Sequence, residues 1–327
     1  MIAILSGEND VHYQHVKNEL EKRGEDFVLM DFSKFPSEMM IGFRVNTATD
    51  EFCAEINGRL IQGKDIKAVW NRRKGHPAAS KNILTAQIKE YVNRESQFFL
   101  DSLPQLLPRA FWVSNPDAIS IASRKPYQLL MAKKIGFNIP ETLIGNSPSQ
   151  IKKFIESLDE IAIKALCVPS VKIEESQEID SLVFYTKRIN KETLEPLLSA
   201  SANCPTIFQK YIEKELELRI TVVGKKVFTC AIYSQQSQRT REDWRRYDLF
   251  NTPHKPYSLP KEIEDKCLAL VKNLNLVFGC IDMIVTPSGE YVFLEINPNG
   301  QWLWIEKLTN MSIGEELAKM LVASRII

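Results

Sequence analysis

The spacing of apolar and polar positions divides the chain into strands and helices in a recognisable order. Residues 2–5 form a continuous apolar run that ends at Ser6-Gly7. Residues 11–23 then carry apolar side chains at helical spacing and close at Gly24, and residues 27–31 form a second apolar run. Strand, helix and strand in that order predict a parallel α/β layer. No GxGxxG follows Gly7, so no dinucleotide fingerprint is read there. Residues 40–69 read as further β structure turning at Asn57-Gly58. Residues 67–73, KAVWNRR, are a strand running into a basic corner. Arg72 and Arg73 there are either a solvated edge or contacts for a substrate carboxylate or phosphate. A long helix is expected over residues 80–103, and the Pro-containing segment up to Pro116 is a boundary.

Beyond it, Leu129, Leu130, Met131 and Ile135 make an apolar helix stripe that stops at Gly136. Lys164 interrupts the apolar run of residues 160–166, and a half-buried ammonium there needs an anion. Residues 173–191 read as β structure followed by a helix. Residues 207–223 give a strand, a short link and a second strand, with Gly224 turning the next hairpin. Within that link, Glu213, Lys214 and Glu215 read as a solvated edge, whereas Arg219 alternates inward. An amphipathic helix over 260–274 packs on the sheet, and 313–321 is a closing helix.

The most informative stretch is residues 278–304, FGCIDMIVTPSGEYVFLEINPNGQWLW, which predicts a hairpin about a Thr-Pro-Ser-Gly turn. Strict alternation places Tyr291, Phe293, Glu295 and Asn297 on one face. Asp282 lies on the partner strand, so folding the hairpin gathers Asp282, Glu295 and Asn297 at one end. Two carboxylates and an amide oxygen suit a hard cation such as Mg²⁺. The other reading is a solvated polar end. It leaves unexplained a carboxylate that interrupts the apolar run VFLEIN, where an unpartnered charge is costly.

At 327 residues the chain has room for two or three domains. A net charge of +1 argues against a nucleic-acid partner. Four arginines within residues 238–246 surround a Trp but are balanced by Glu242, Asp243 and Asp248. The six cysteines show neither CxxC nor zinc-like spacing, so reduced thiols are expected. With neither a basic n-region at the start nor a membrane-length apolar stretch, a cytoplasmic protein without membrane contact is expected. No P-loop is present, nor any Ser-His or Cys-His pattern.

D-x₁₂-E-x-N on the hairpin resembles the magnesium signature of the ATP-grasp superfamily. LEINPNGQWLWIE is similar to its peptide-maturase branch, whose members install ester and amide crosslinks in ribosomally made peptides of the microviridin or graspetide type. The resemblance implies an ATP-grasp α/β fold of three subdomains: an N-terminal one over 1–115, a central one over 116–208 and a C-terminal one over 209–327. ATP would lie between the last two, with Mg²⁺ on Asp282, Glu295 and Asn297. It implies that Lys125 and Lys164 contact phosphates, and that backbone groups of Lys210, Tyr211 and Ile212 read the adenine edge. Gln209, Glu213 or Glu217 would reach adenine or ribose, with Glu217 resembling the ribose-binding acid. Arg245, in the DWR segment, would neutralise charge at the γ-phosphate, and Arg219 would face phosphate or an acyl intermediate. A precursor peptide would dock its leader on the central domain, where residues 165–200 offer Lys172, Glu174 and Glu175, and the enzyme would be a homodimer. One departure stands out. No Gly occurs between Gly145 and Gly224, so the family's Gly-rich closing loop is replaced by bulkier residues, in the region of 167–172. The same nucleotide motifs would also serve a ligase of free amino acids or glutamate tails, resembling glutathione synthetase or the ribosomal-protein glutamate ligases. A nucleotide-binding regulator without chemistry and a purely structural module are the readings from other classes.

Overall fold

The computed structural model describes residues 1–158, 160–167, 170–175, 178–189 and 194–327, with the backbone alone described for 170–175, 178–183 and 194–197. The opening apolar run forms β1 (Ile2–Ser6), followed by α1 (Val11–Lys22) and β2 (Phe27–Met30). Asp10 caps α1 by accepting from the His12 and Tyr13 N–H groups, both at 2.9 Å. An antiparallel three-stranded sheet follows, of β3 (Met39–Val45), β4 (Asp50–Ile56) and β5 (Arg59–Gln62). Its β4–β5 turn, Asn57-Gly58, has φ 51° and 76°, the positive pair that a two-residue hairpin demands. The chain then returns through β6 (Ala68–Arg73) to lie parallel to β1.

Helix α2 (Ala86–Asp101) starts six residues later than the apolar spacing suggested. The Ser80 hydroxyl accepts from Asn82 N–H, and the Ile83 N–H bonds the Ser80 carbonyl, so the serine organises a turn and not a helix. After α3 (Leu103–Leu106) and β7 (Phe111–Val113), the first sheet is complete in the order β2-β1-β6-β7, all parallel.

Two helices, α4 (Pro116–Ala122) and α5 (Lys125–Ile135), lead into β8 (Thr142–Gly145), α6 (Pro148–Glu156) and β9 (Ile161–Lys164). Gly136, at φ 92°, ends α5 in the left-handed conformation. The expected apolar stripe on α5 is only partly inward: Leu130 is 67% exposed, and the buried positions are Gln128 and Ala132. A β10–β11 hairpin (Ser170–Glu175, Glu178–Val183), β12 (Lys187–Ile189), α7 (Leu194–Ser201) and β13 (Thr206–Lys210) follow. The second sheet runs β12-β9-β13-β8, on a small core that includes Ile151, Ile155, Ile161 and Phe208.

The third sheet is antiparallel, in the order β16-β15-β14-β17-β18. Its strands are β14 (Leu216–Val223), β15 (Lys226–Ile232), β16 (His254–Pro256), β17 (Phe278–Val285) and β18 (Tyr291–Asn297). Helix α8 (Lys261–Asn273) packs on one face through Cys267, Leu270 and Val271, as its periodicity required. The other face is shared. Val223, Cys230, Ile232, Phe278 and Cys280 join a core with Ile2, Ile4, Tyr13 and Trp70 of the first sheet layer, and with α9 (Leu303–Thr309) and α10 (Ile313–Ala323). The N-terminal layer and the C-terminal sheet are therefore one packed body. Cys230, Cys267 and Cys280 are buried, Cys53, Cys167 and Cys204 exposed, and all six are free thiols.

Candidate active site

The site begins with an irregularity in the hairpin. Registers run Val285↔Tyr291, Ile284↔Val292 and Met283↔Phe293, then resume as Asp282↔Glu295, Ile281↔Ile296 and Cys280↔Asn297. Leu294 is thus the extra residue of a β-bulge, and it reverses the inward–outward sense of the strand. Tyr291, Phe293 and Ile296 enter the core with Ile281, Met283 and Val285. Glu295 and Asn297 turn to the opposite face, beside Asp282. The single face expected for Tyr291, Phe293, Glu295 and Asn297 is therefore corrected. The bulge separates the aromatic pair from the polar pair, and so lets both a packed core and a polar site form on one short strand. Gln128 secures this arrangement from α5: its Nε2 donates to Ile296 O at 2.8 Å and to Ala122 O at 2.6 Å, and its Oε1 accepts from Ile296 N at 3.2 Å.

Asp282 and Glu295 thus stand directly opposite each other, with Asn297 two residues further along the same face. Burial raises the Asp282 pKa, and the neighbouring Glu295 charge adds to the rise, while Arg219 opposes it. For Glu295, burial is outweighed by Lys125, Lys164 and Arg245, and its pKa is lowered. Two close carboxylates and an amide oxygen form an all-oxygen set whose mutual repulsion a divalent cation would relieve. Among the described residues, no group of three or more His, Cys, Asp or Glu side chains is arranged for a metal, and Asn297 supplies an amide oxygen beside the two carboxylates. The residues fit a hard cation.

Facing them across a cleft of about 420 Å³ lies the second sheet. Lys125, at the first turn of α5, bridges Glu295 Oε2 at 2.9 Å and Ala165 O at 3.0 Å. Lys164 projects from β9 and donates to Gln209 Oε1 on β13 at 2.9 Å, while Gln209 Nε2 donates to Thr142 Oγ1 at 3.0 Å. Burial pushes the Lys164 amine down to about 8; Glu295 opposes this, and Lys125, Lys214 and Arg245 reinforce it. Lys210, Tyr211, Ile212 and Glu217 line the same cleft. The N–H groups of Lys210 and Tyr211 are already spent on Glu141 O and Glu160 O, at 2.8 and 3.0 Å. Of the three link residues, Ile212 is the one whose N–H has no backbone acceptor among the described residues. Glu217 is buried and paired with Lys214 Nζ at 3.1 Å.

Of the two arginines, Arg245 lines the cleft, gripped by Asp243 through Nε at 2.8 Å and through Nη2. That ion pair, with the Thr186 and Arg245 N–H groups, outweighs burial and holds the Asp243 carboxyl at about 2. Arg219 does not reach the cleft. Its Nη1 lies 2.9 and 2.8 Å from the two Asp282 oxygens, and its Nη2 donates to Gln301 O at 3.2 Å. It stands behind Asp282 as a support, and is not among the residues that line the cleft. Strand pairing Arg219↔Asp282 fixes this outcome.

Sequence reasoning missed Lys214, Asp243, Gln128 and Arg72. Lys214, read as part of a solvated edge, is 8% exposed and also donates to Glu242 O at 3.0 Å. Its exposed neighbours Glu213 and Glu215 alternate with it, which was the available signal. Arg72 is 3% exposed, not solvated, whereas the side chain of Arg73 is 57% exposed. The side chains of Lys172, Glu174 and Glu175, and part of the 167–172 loop, lie outside the described residues.

A cleft between two antiparallel sheets, with cations on one wall and paired acids on the other, defines a nucleotide-dependent ligase site. The MvdD pre-ATP grasp domain matches residues 1–120, and the RimK-like ATP-grasp domain matches residues 122–321. The chain belongs to the RimK-like ATP-grasp family, and it is an ADP-forming, ATP-dependent carboxylate ligase. It is similar to a RiPP-associated ATP-grasp ligase of Chryseobacterium gregarium, solved with ADP and a leader and core peptide, at 30% identity and a TM-score of 0.89, covering 98% of this chain and 96% of that one. It is also similar to the macrocyclase MdnC of Microcystis aeruginosa, solved with the precursor peptide MdnA, at 30% identity and a TM-score of 0.84 over 99% of both chains. Macrocyclase MdnB of the same organism follows at 29% identity and 0.79, over 98% of each chain. No curated protein matches. Among the described residues, no helix is long and apolar enough to cross a membrane.

Proposed function

We propose that the chain crosslinks side chains of a ribosomally made precursor peptide, in three units over 1–115, 116–208 and 209–327. The observation that carries this reading is the cleft itself, with Lys125, Lys164 and Arg245 converging on Glu295 and Asp282. Similarity to ligases solved with leader, core or precursor peptides supports the choice of substrate. An Asp or Glu carboxylate of the peptide attacks the γ-phosphorus of ATP, the bond to the β-phosphate oxygen breaks, and ADP leaves. A Ser/Thr hydroxyl or Lys amine of the same peptide then attacks the acyl carbon, loses its proton and expels phosphate. Lys125 and Lys164 hold phosphate oxygens, Ile212 and the carbonyls of the link meet the adenine edge, with Gln209 beside them, and Glu217 meets the ribose. Arg245, oriented by Asp243, offsets charge that develops on the transferred group. Mg²⁺ held by Asp282, Glu295 and Asn297 would supply further neutralisation of the phosphates.

A homodimer has a surface to use. Leu84, Ile88, Tyr91 and Phe98 fall at helical spacing on one exposed face leading into and along α2. Light scattering of the purified chain tests this. The cytoplasm is the compartment that suits ATP and free thiols.

Mass spectrometry of a candidate precursor incubated with enzyme, Mg²⁺ and ATP tests the function. The products are expected to be lighter by whole water masses. A mass gain after adding free glutamate would instead assign the chain to tail ligation and overturn the crosslinking reading.

A further inference from the structure

Asn297 leaves β18 into a turn, Pro298–Gln301, that is held from outside the ATP-grasp part of the chain. Arg72, near the end of β6, reaches it with Nη1, at 3.1 Å from Asn299 O and 3.3 Å from Gly300 O. Its Nε faces Asp10 Oδ1 at 3.4 Å, and its Nη2 faces His12 Nδ1 at 3.0 Å. Asn299 returns a hydrogen bond from Nδ2 to Arg72 O. His12 Nε2 accepts from the Trp302 and Leu303 N–H groups at 3.2 and 3.3 Å. On its inner side the same turn offers Gln301 O to Arg219, which holds both oxygens of Asp282, and the Asn299 N–H donates to Asn297 Oδ1 at 3.2 Å. The turn has no slack. A Cβ on Gly300 would lie 2.6 Å from Cys280 Cβ and 2.9 Å from Arg219 Nη2.

We propose that Arg72 is a positioning residue for the ligase reaction: it fixes the 298–301 turn, and through it the orientation of Asn297 and of the Arg219–Asp282 pair. The N-terminal layer thereby completes the acidic wall of a cleft that Arg72 does not line. A forked guanidinium serves here because it meets Asp10 and two carbonyls at once, which a single ammonium cannot do. The proposal rests on reading Asp282, Glu295 and Asn297 as the metal end of the site.

Arg72→Lys and Asn299→Ala in the full chain test it, with circular dichroism to establish folding. Asn299 is only half-buried, so its variant carries the test if the buried substitution fails to fold. Metal-free ADP affinity, by calorimetry, is expected to stay within twofold of wild type. Mn²⁺ affinity in the presence of ADP, by electron paramagnetic resonance, and kcat for Mg²⁺-dependent ADP formation are each expected to fall tenfold or more for Arg72→Lys, with KM for ATP within threefold. Asn299→Ala is expected to move the same readouts in the same direction by at least threefold. Folded variants that keep both Mn²⁺ affinity and kcat within twofold would overturn the proposal. An equal loss of metal-free ADP affinity would also overturn it, since that marks general collapse of the cleft. Glu295→Gln is measured alongside. Should it retain wild-type Mn²⁺ affinity, the metal reading fails, and kcat of the two variants alone decides on Arg72.

Discussion

Lys164 sits at about 8 because burial and three neighbouring cations disfavour its charge. A nucleotide phosphate reverses that balance, so binding above pH 8 is expected to take up a proton. Calorimetry in buffers of different ionisation enthalpy should show this uptake at pH 8.5 and its loss in Lys164→Met. ATP affinity should fall as pH rises from 7 to 9, by up to about tenfold per unit. The sign for the free protein is opposite. Its folded pKa is lowered, so stability rises from pH 8 towards the ordinary lysine range, where the unfolded chain keeps a proton that the folded one has released. At the acidic wall, Glu295→Gln keeps shape but removes the charge that meets Lys125 and the cation. ATP turnover should drop by at least a hundredfold with an unchanged circular dichroism spectrum; an active variant would remove Glu295 from the metal set. Both residues were legible as charges interrupting apolar runs. Arg72 was not, because a cation in a polar stretch reads the same whether its partner is water or a carbonyl more than two hundred residues away.

The hairpin of β17 and β18 shows what an element adds. Its turn and strands follow from composition, Gly289 taking φ 82° in the expected Thr-Pro-Ser-Gly turn. The bulge at Leu294 does not follow, since strict alternation along VFLEIN is equally good spelling for a regular strand. Deleting Leu294 should restore regular pairing with Met283↔Phe293 and Asp282↔Glu295 still opposite each other, so the aromatic pair and Glu295 keep their present faces. The variant is expected to fold and to bind ADP. A fall of several degrees in melting temperature, together with loss of ADP binding, would mean that the bulge does more than set these faces.

At the scale of the molecule, the core that joins Ile2, Ile4, Tyr13 and Trp70 to Phe278, Cys280 and Trp302 makes the first layer a support for the site. A fragment of residues 122–327 alone exposes that apolar face and loses the Arg72 contacts. It is expected to aggregate or to bind dye as a loosened state, whereas the whole chain melts in one transition; light scattering and a thermal melt distinguish them. The sequence by itself determined the α/β elements, the ligase family and the two carboxylates with their amide partner, because each is written locally, in periodicity, turn residues and a short motif. Only the tertiary structure decided which face those groups occupy, that Arg219 backs Asp282 instead of facing the cleft, and that β6 anchors the turn beyond Asn297. These depend on register and on contacts between residues far apart in the chain, and neither leaves a trace in the spacing of a single strand.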